Sequence, residues 1–208
     1  MPAKTKKLLS ERALGFWGSS AIVWSLYKYY FYGDLFFSEI ILKPLIFIGT
    51  TFLFTKYVEK KSLSQIIQIF PLTKKSFLIS FSIILASTVL MLFFRNIPFL
   101  QTIAHILANL GTASSEDILM FALVLRSYHI DKKNYLNSIV TIALLYTLLR
   151  IPGLFTIPKI QGLLLVNILL SGFFLMLALG IIYSRTRKLY PVILIHFTYL
   201  NIITLFAL

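Results

Sequence analysis

The sequence predicts an all-α protein, a polytopic bundle of about seven transmembrane helices (six to eight) with its N-terminus on the inner side of the membrane. The 208 residues are 58% hydrophobic and their mean hydropathy is +0.86, whereas soluble domains are about 45–50% apolar. Charged residues make up only 13% of the chain, about half the usual share. A soluble domain of this size could not bury so much apolar surface, which excludes a soluble enzyme or a soluble nucleic-acid-binding module.

Apolar runs separated by charges or by Pro and Gly define the predicted helices, and none shows the alternation typical of strands. The runs are 13–32, 35–55, 76–94, 98–127, 135–151, 161–183 and 189–207. The first run follows a basic segment and could pass for a signal peptide. No small-residue cleavage site follows it, and the tyrosines at 27–32 are typical of an interface belt. We therefore interpret the first run as a retained span.

Two of the other runs carry further expectations. Run 98–127 is long enough to be either one helix or a short helix followed by a separate span. Gly172 and Gly180 lie eight residues apart in run 161–183, near Ala178. Small residues at this spacing predict close packing against a neighbouring helix. With roughly 20 residues needed for each span, residues 1–208 are expected to form a single membrane domain.

The basic residues predict the orientation of the spans. With the N-terminus inside, fifteen of the twenty lysines and arginines fall on inner segments, which places the C-terminus outside. These fifteen are Lys4, Lys6, Lys7, Arg12, Lys56, Lys60, Lys61, Lys74, Lys75, Arg126, Lys132, Lys133, Arg185, Arg187 and Lys188. The same bias and contact with anionic lipids explain the net charge of +13. Membrane lipids, and not nucleic acid, are therefore the expected partners.

Two adjacent acids interrupt the apolar run 98–127. Glu116 and Asp117 follow the segment 111–115, which consists of small and polar residues. An ionisable residue inside a bilayer marks a functional site by default, and a carboxylate there suits a general base that takes a proton from water. The alternative is a helix cap, because Ser114-x-x-Asp117 has the pattern of a capping box. The two interpretations are compatible.

Other polar residues also lie within apolar runs. His196 is either hydrogen-bonded to a neighbouring helix or, together with Glu116, a metal ligand or proton carrier. Arg150 either extends to the outer interface or points inward and pairs with Glu116 or Asp117. Lys28, Glu39 and Lys43 are expected to form structural ion pairs between the first two spans. The chain has no cysteine, which excludes disulfides, thiol chemistry and Cys-based metal sites.

The order of these residues resembles the CPBP family of intramembrane proteases, the CAAX-processing and bacteriocin-processing or Abi group. The resemblance covers about 112–201, and its most specific part is the stretch from Gly172 to Asn201. In the family, a glutamate and a histidine activate water for peptide-bond hydrolysis, with or without a metal, while a later histidine and an asparagine stabilise the oxyanion. The resemblance implies that Glu116, with Asp117, provides the base and that His196 is a metal ligand or an oxyanion partner. The implied cofactor is either none or a divalent metal such as zinc.

The sequence departs from all three family motifs. In the first, E-E-x-x-x-R, Asp117 replaces the second glutamate and Phe121 the arginine. In the second, F-x-x-x-H, Arg150 stands where the family has histidine. In the third, H-x-x-x-N, Leu200 follows His196 at the asparagine position and Asn201 comes one place late. A guanidinium stays protonated and cannot bind a metal, so these departures favour an inactive member of the family over an active one.

Three functions follow from this reading. The first is a catalytically impaired pseudoprotease of a bacterial cytoplasmic membrane, which binds or scaffolds a transmembrane or membrane-bound partner. The resemblance implies as partner an envelope enzyme, or a peptide in bacteriocin self-immunity. The alternative is an active intramembrane endopeptidase with Glu116 as base, and the least favoured is a small transporter or lipid-binding protein.

Overall fold

The fold of the protein is seen in a computed structural model, which describes residues 3–30, 37–61, 74–95, 98–126, 135–155 and 162–206. All regular secondary structure in these segments is helical, which confirms the predicted all-α class. Lys132 and Lys133, used in the orientation argument, lie outside the described residues, as do the predicted helix ends at 31–32, 35–36, 127, 161 and 207.

Each predicted apolar run contains one helix or one continuous helical segment. Five are α-helices: α1 Ala3–Tyr30, α3 Lys74–Arg95, α5 Tyr135–Phe155, α6 Leu163–Thr186 and α7 Leu189–Phe206. Helix α2 is composite, with α-helix Lys43–Leu53 between the π-helical turns Phe37–Leu42 and Phe54–Val58. Helix α4 consists of α-helix Phe99–Asp117, which continues without a break into the π-helical segment Ile118–Leu125.

The continuity of α4 corrects the capping-box interpretation, because no helix begins at Ser114. Its hydroxyl donates instead to the carbonyl of Leu110, one turn earlier in the same helix. After Asp117 the helix widens, so that the amide of Arg126 donates to the carbonyl of Phe121, five residues back. Such π-helical segments are rare and are frequent at functional sites. Glu116 and Asp117 are the last two residues before this change.

Helix α4 lies at the centre of the bundle. Every residue of Ile118–Leu125 is buried, on all sides of the helix. A helix that is apolar all round is buried on all sides, and here α1, α2, α5 and α7 surround this segment. This central position places Glu116 and Asp117 among side chains from several other helices.

The directions of the helices follow from their contacts. Ser20 on α1 donates to Thr50 on α2, and Lys28 pairs with Glu39, so these two helices are antiparallel. Helices α2 and α4 are parallel: Glu39 accepts a hydrogen bond from Thr112, while Thr55 accepts one from Arg126. We refer below to the end of the bundle near Lys28 as the Lys28 end and to the opposite end as the Arg126 end.

Helices α5 and α6 pack closely at two glycines. A Cβ atom on Gly180 would lie 2.6 Å from Cγ2 of Ile139, and one on Gly172 would lie 3.3 Å from a ring carbon of Tyr146. At Gly180 an added methyl group would force a shift, and at Gly172 it would press against the ring, so small residues at both positions favour the close approach of the helices. The predicted role of Gly172 and Gly180 in helix packing is therefore confirmed.

The outer surface of the bundle is apolar. On α6, the side chains of Leu163, Val166, Leu170 and Phe174 are all exposed along one face, which is the reverse of a helix in a water-soluble protein. Phe37–Val58 and Leu165–Thr186 are long and apolar enough to cross a membrane, and three shorter apolar helices accompany them among the described residues. The length and composition of these helices agree with a membrane environment.

Candidate functional site

The predicted site residues come together on three helices. Glu116 and Asp117 project from α4, Arg150 from α5 and His196 from α7. The side chains of Glu116, Asp117 and His196 are almost entirely enclosed, with Asp117 and His196 at 0% exposure and Glu116 at 3%. Burial of this kind is costly unless each polar group has a partner, so the partners define what the site can do.

His196 is held between two side chains through both of its ring nitrogens. Its Nδ1 lies 3.0 Å from Oδ1 of Asp117, and its Nε2 lies 3.2 Å from the hydroxyl oxygen of Tyr146. Nδ1 therefore faces a carboxyl oxygen and Nε2 faces a tyrosine hydroxyl, so both ring nitrogens already have a partner within the protein.

Glu116 lies between two basic side chains. Its Oε1 is 2.6 Å from Nζ of Lys43, and its Oε2 is 3.6 Å from Nη2 of Arg150 and 3.8 Å from Nε2 of His196. Of the two positions considered for Arg150, the structure has the inward one. Among the described residues, Oε2 has no hydrogen-bond partner within normal distance, so the carboxylate is held mainly by Lys43.

An alternating chain of charges extends from Glu116 toward the Lys28 end. Lys43 also binds Glu39, with 3.0 Å between Nζ and Oε2, and Glu39 in turn binds Lys28 at 2.6 Å. The ring of Trp24 lies 4.9 Å from Nζ of Lys28 and 5.1 Å from that of Lys43, a distance suited to cation–π attraction. The expected pairing of Lys28, Glu39 and Lys43 is thus present, but Lys43 also reaches the site on α4.

Arg150 crosses the groove that Gly172 leaves open. Its aliphatic Cδ would lie 3.9 Å from a Cβ atom on Gly172, and its guanidinium carbon lies 4.8 Å from the centre of the Tyr146 ring. With Tyr146 and Arg150 four residues apart on α5, the two side chains share one face of the helix. The Arg150 side chain stays 19% exposed, which makes it the most accessible member of the cluster.

The remaining motif positions lie apart from this cluster. Phe121 is fully buried in the core, with its ring 5.4 Å from that of Tyr183. Leu200 belongs to a second, smaller apolar cluster. Asn201 accepts a hydrogen bond from Asn109 on α4 at 2.8 Å, while its own amide nitrogen has no partner among the described residues. These three residues join helices together and touch neither Glu116 nor His196 in any described contact.

The sequence reasoning missed Lys43 and Tyr146 as members of the site. A lysine inside the apolar run 35–55 is a signal for a functional or paired position, but nothing in the sequence indicates that it faces Glu116. The hydroxyl of Tyr146 stands where the family motif has phenylalanine, so its role depends on an oxygen atom that the motif lacks.

The donors at this site suit a divalent metal poorly. Metals in such sites are bound by neutral imidazole nitrogens and free carboxylate oxygens, usually three or more. Here Lys43 and Arg150 flank Glu116, and Tyr146 engages Nε2 of His196. The described residues contain no group of three His, Asp or Glu side chains arranged to hold an ion.

Comparison with known proteins identifies the family. Residues 98–202 match the type II CAAX prenyl endopeptidase Rce1-like family over half of the chain, and the protein belongs to this membrane-embedded family. This confirms the resemblance drawn from the sequence motifs. The matched region includes Glu116, Asp117, Arg150 and His196, whereas Lys43 lies outside it. The sequence matches no curated protein and no solved structure.

Proposed function

We propose that the protein is a catalytically inactive member of the Rce1-like family that binds a membrane partner instead of cleaving it. The observation that carries this proposal is the position of Glu116 between Lys43 and Arg150. A general base needs a free lone pair directed at a water molecule. Oε1 of Glu116 is bound by Lys43 at 2.6 Å, and the Arg150 guanidinium lies 3.6 Å from Oε2, so both oxygens face cations supplied by the protein itself.

The second support is the state of the proton-transfer partners. The family's second motif provides a histidine at the position of Arg150, and arginine neither exchanges protons near neutral pH nor binds a metal. Nε2 of His196 is occupied by the Tyr146 hydroxyl. Residues that act as one catalytic unit lose most of the activity when a single member is replaced. The proposal therefore includes the absence of a catalytic metal.

The proposed partner is a transmembrane segment or a membrane-bound peptide. The family acts on membrane-associated peptides, and a site that no longer cuts can keep the surface that received them. Such a partner is either an envelope enzyme that the protein scaffolds or a toxin peptide against which it gives self-immunity. The proposed setting is a bacterial cytoplasmic membrane, crossed by seven spans with the N-terminus inside and the C-terminus outside.

A comparison of strains tests binding against cleavage. Membrane peptides are compared in wild type, in a deletion strain and in a Glu116→Gln strain with matched amounts of protein, with Glu11→Gln on the exposed part of α1 as control. We expect the Glu116→Gln strain to process peptides as wild type does, while the deletion strain alone shows a phenotype. Accumulation of the same uncut precursor in the deletion and Glu116→Gln strains would establish a protease and overturn the proposal.

A cleavage assay with the purified protein tests the proposal independently. The full chain in detergent is incubated with prenylated CAAX peptides, and Arg150→His, which restores the histidine of the family motif, is measured beside it. We expect no cleavage by the wild-type chain above the background of Glu116→Gln. Cleavage by the wild-type chain that is lost in Glu116→Gln would contradict the proposal.

A further inference from the structure

A second polar contact joins α4 and α7, apart from the buried charged site. The side-chain amide of Asn109 on α4 donates to Oδ1 of Asn201 at 2.8 Å and to the hydroxyl oxygen of Thr204 at 3.1 Å. Asn201 and Thr204 lie three residues apart on α7, so they share the face of the helix that meets α4. We call this contact the Asn109–Asn201 pair.

The surroundings of the pair are apolar. Ile106 and Ala113 on α4 belong to the same buried cluster as Phe197 and Leu200 on α7. Lipid tails are as apolar as these side chains, so apolar contacts give little preference for one rotation of a transmembrane helix over another. The pair therefore supplies a directional contact where the apolar side chains supply none.

Asn201 is a costly residue at this position. It is 5% exposed, and its amide nitrogen has no partner among the described residues. A buried donor without a partner lowers stability, and an apolar side chain of similar size avoids this cost. In coiled coils, single buried polar residues specify how helices align although they lower stability. The unused amide of Asn201 indicates the same role here.

The position of the pair suits a role in orienting His196. Helix α7 meets α4 at two polar contacts, one between His196 and Asp117 and the other between Asn201 and Asn109. The two contacts lie eight residues apart on α4, a rise of about 12 Å. A single contact allows a helix to turn about it, whereas two contacts at different depths fix both its rotation and its tilt. A change of one residue corresponds to about 100° around the helix, so the rotation of α7 decides where the imidazole points.

We infer that Asn109 and Asn201 are positioning residues for His196. Their contact holds α7 in the rotation that places the imidazole between Asp117 and Tyr146, at 3.0 Å and 3.2 Å from its two nitrogens. They act through the helix, since neither asparagine touches His196 in a described contact. This inference concerns the geometry of the site and stands independently of whether the site cuts or binds a peptide.

Nuclear magnetic resonance of the full chain in detergent, labelled with isotopic histidine, tests the inference. The chain has three histidines, and the ring nitrogen signals of His196 are identified by their loss in His196→Gln. In the double variant Asn109→Leu with Asn201→Leu, we expect these signals to shift from their wild-type positions or to split into several sets. Asn167→Leu, at an exposed position of α6, is the control and should leave them unchanged.

The stability of the same variants separates positioning from simple stabilisation. Asn109→Leu alone leaves both polar groups of Asn201 without a partner among the described residues, so it should lower the unfolding temperature by about 2–10 °C. The double variant removes both amides, so its unfolding temperature should stay within about 2 °C of wild type. A contact that only stabilises the fold predicts the opposite, namely a less stable double variant with unchanged His196 signals.

Asn201→Asp is an independent test, because it keeps the oxygen that Asn109 binds and discards the amide that has no partner. A carboxyl group buried in apolar surroundings stays protonated and neutral, so we expect the His196 signals of wild type. Changed signals in Asn201→Asp, or unchanged signals in the double variant, would overturn the inference. A double variant as unstable as Asn109→Leu would overturn it as well.

Discussion

Lys43 is the residue that distinguishes this buried site most clearly from a hydrolytic one. It contributes a cation 2.6 Å from Glu116 and 3.0 Å from Glu39, and it comes from the part of the chain outside the family match. The Lys43 ammonium is attracted to both carboxylates, and Lys28 and Arg150 supply the further positive charge beside them. The Lys43 side chain is only 6% exposed, so the contact is enclosed within the bundle.

The first prediction concerns the removal of this cation. Lys43→Met keeps the length of the side chain but leaves Glu39 and Glu116 without the charge between them. Breaking a buried pair by removing one partner costs about 3–5 kcal/mol, so we expect a clear fall in the unfolding temperature in detergent. Lys56→Met, at an exposed position of α2, is the control and should change it little.

The double variant Lys43→Met with Glu116→Gln checks the cause. If the destabilisation comes from an unpaired buried charge, removal of the Glu116 charge should recover part of the lost stability. An unfolding temperature of Lys43→Met equal to that of wild type would show that the ion pair contributes nothing to folding.

Tyr146 shows how a single oxygen atom changes the chemistry of a site. The hydroxyl engages Nε2 of His196, while the ring supports the guanidinium of Arg150. One residue therefore occupies the histidine and positions the arginine. The contact with the guanidinium depends on the four-residue spacing that brings Tyr146 and Arg150 onto the same face of α5.

At the scale of the elements, the pairing of α5 with α6 sets the position of Arg150. The two helices approach closely because Gly172 and Gly180 have no side chains. The Arg150 side chain crosses α6 at Gly172, so the packing of the helices and the geometry of the site are linked.

The second prediction tests this helix contact. In Gly180→Ala the new methyl group would meet Cγ2 of the buried, β-branched Ile139 at 2.6 Å. Overpacking of this kind typically costs about 1–3 kcal/mol, which we expect as a lower unfolding temperature. The control is Gly18→Ala on α1, where nothing lies within 4 Å of the added atom.

A second substitution at Ile139, which faces Gly180, tests whether this contact causes the loss of stability. Ile139→Ala removes the atoms that the new methyl group meets, so Gly180→Ala should cost less in that background than in wild type. An equal cost in both backgrounds would show that the contact with Ile139 does not limit the approach of the helices.

At the scale of the whole molecule, charge is sorted between the two ends and the interior. Arg126 pairs with Glu59 and Thr55 at one end, and Lys28 pairs with Glu39 toward the other. The proposed orientation places the Arg126 end inside, where most lysines and arginines of the chain fall.

The third prediction tests this orientation by labelling. The natural chain has no cysteine, so single cysteines report their own positions without background. We expect Leu163→Cys, at the start of α6, to react with a membrane-impermeant maleimide in intact cells. Lys188→Cys, between α6 and α7, should react only after the membrane is opened. The reverse pattern would contradict the proposed topology.

The helical class and the family could be predicted from the sequence alone, because hydropathy and motif order are local properties of the chain. The seven predicted runs each contain a helix, and the two glycines in α6 were correctly assigned to helix packing. The alternative interpretation of Ser114 as a helix cap was wrong, since a cap forms only where a helix begins and α4 passes through this position without a break.

The sequence by itself determined that Glu116, Asp117, Arg150 and His196 were the polar residues to explain, because ionisable groups are costly in an apolar run wherever it folds. Only the tertiary structure decided which atoms meet. Lys43 reaches Glu116 across 73 residues of sequence, and Tyr146 meets His196 across 50. Such pairings depend on how α2, α5 and α7 pack around α4, and that arrangement is a property of the whole bundle that no local pattern records.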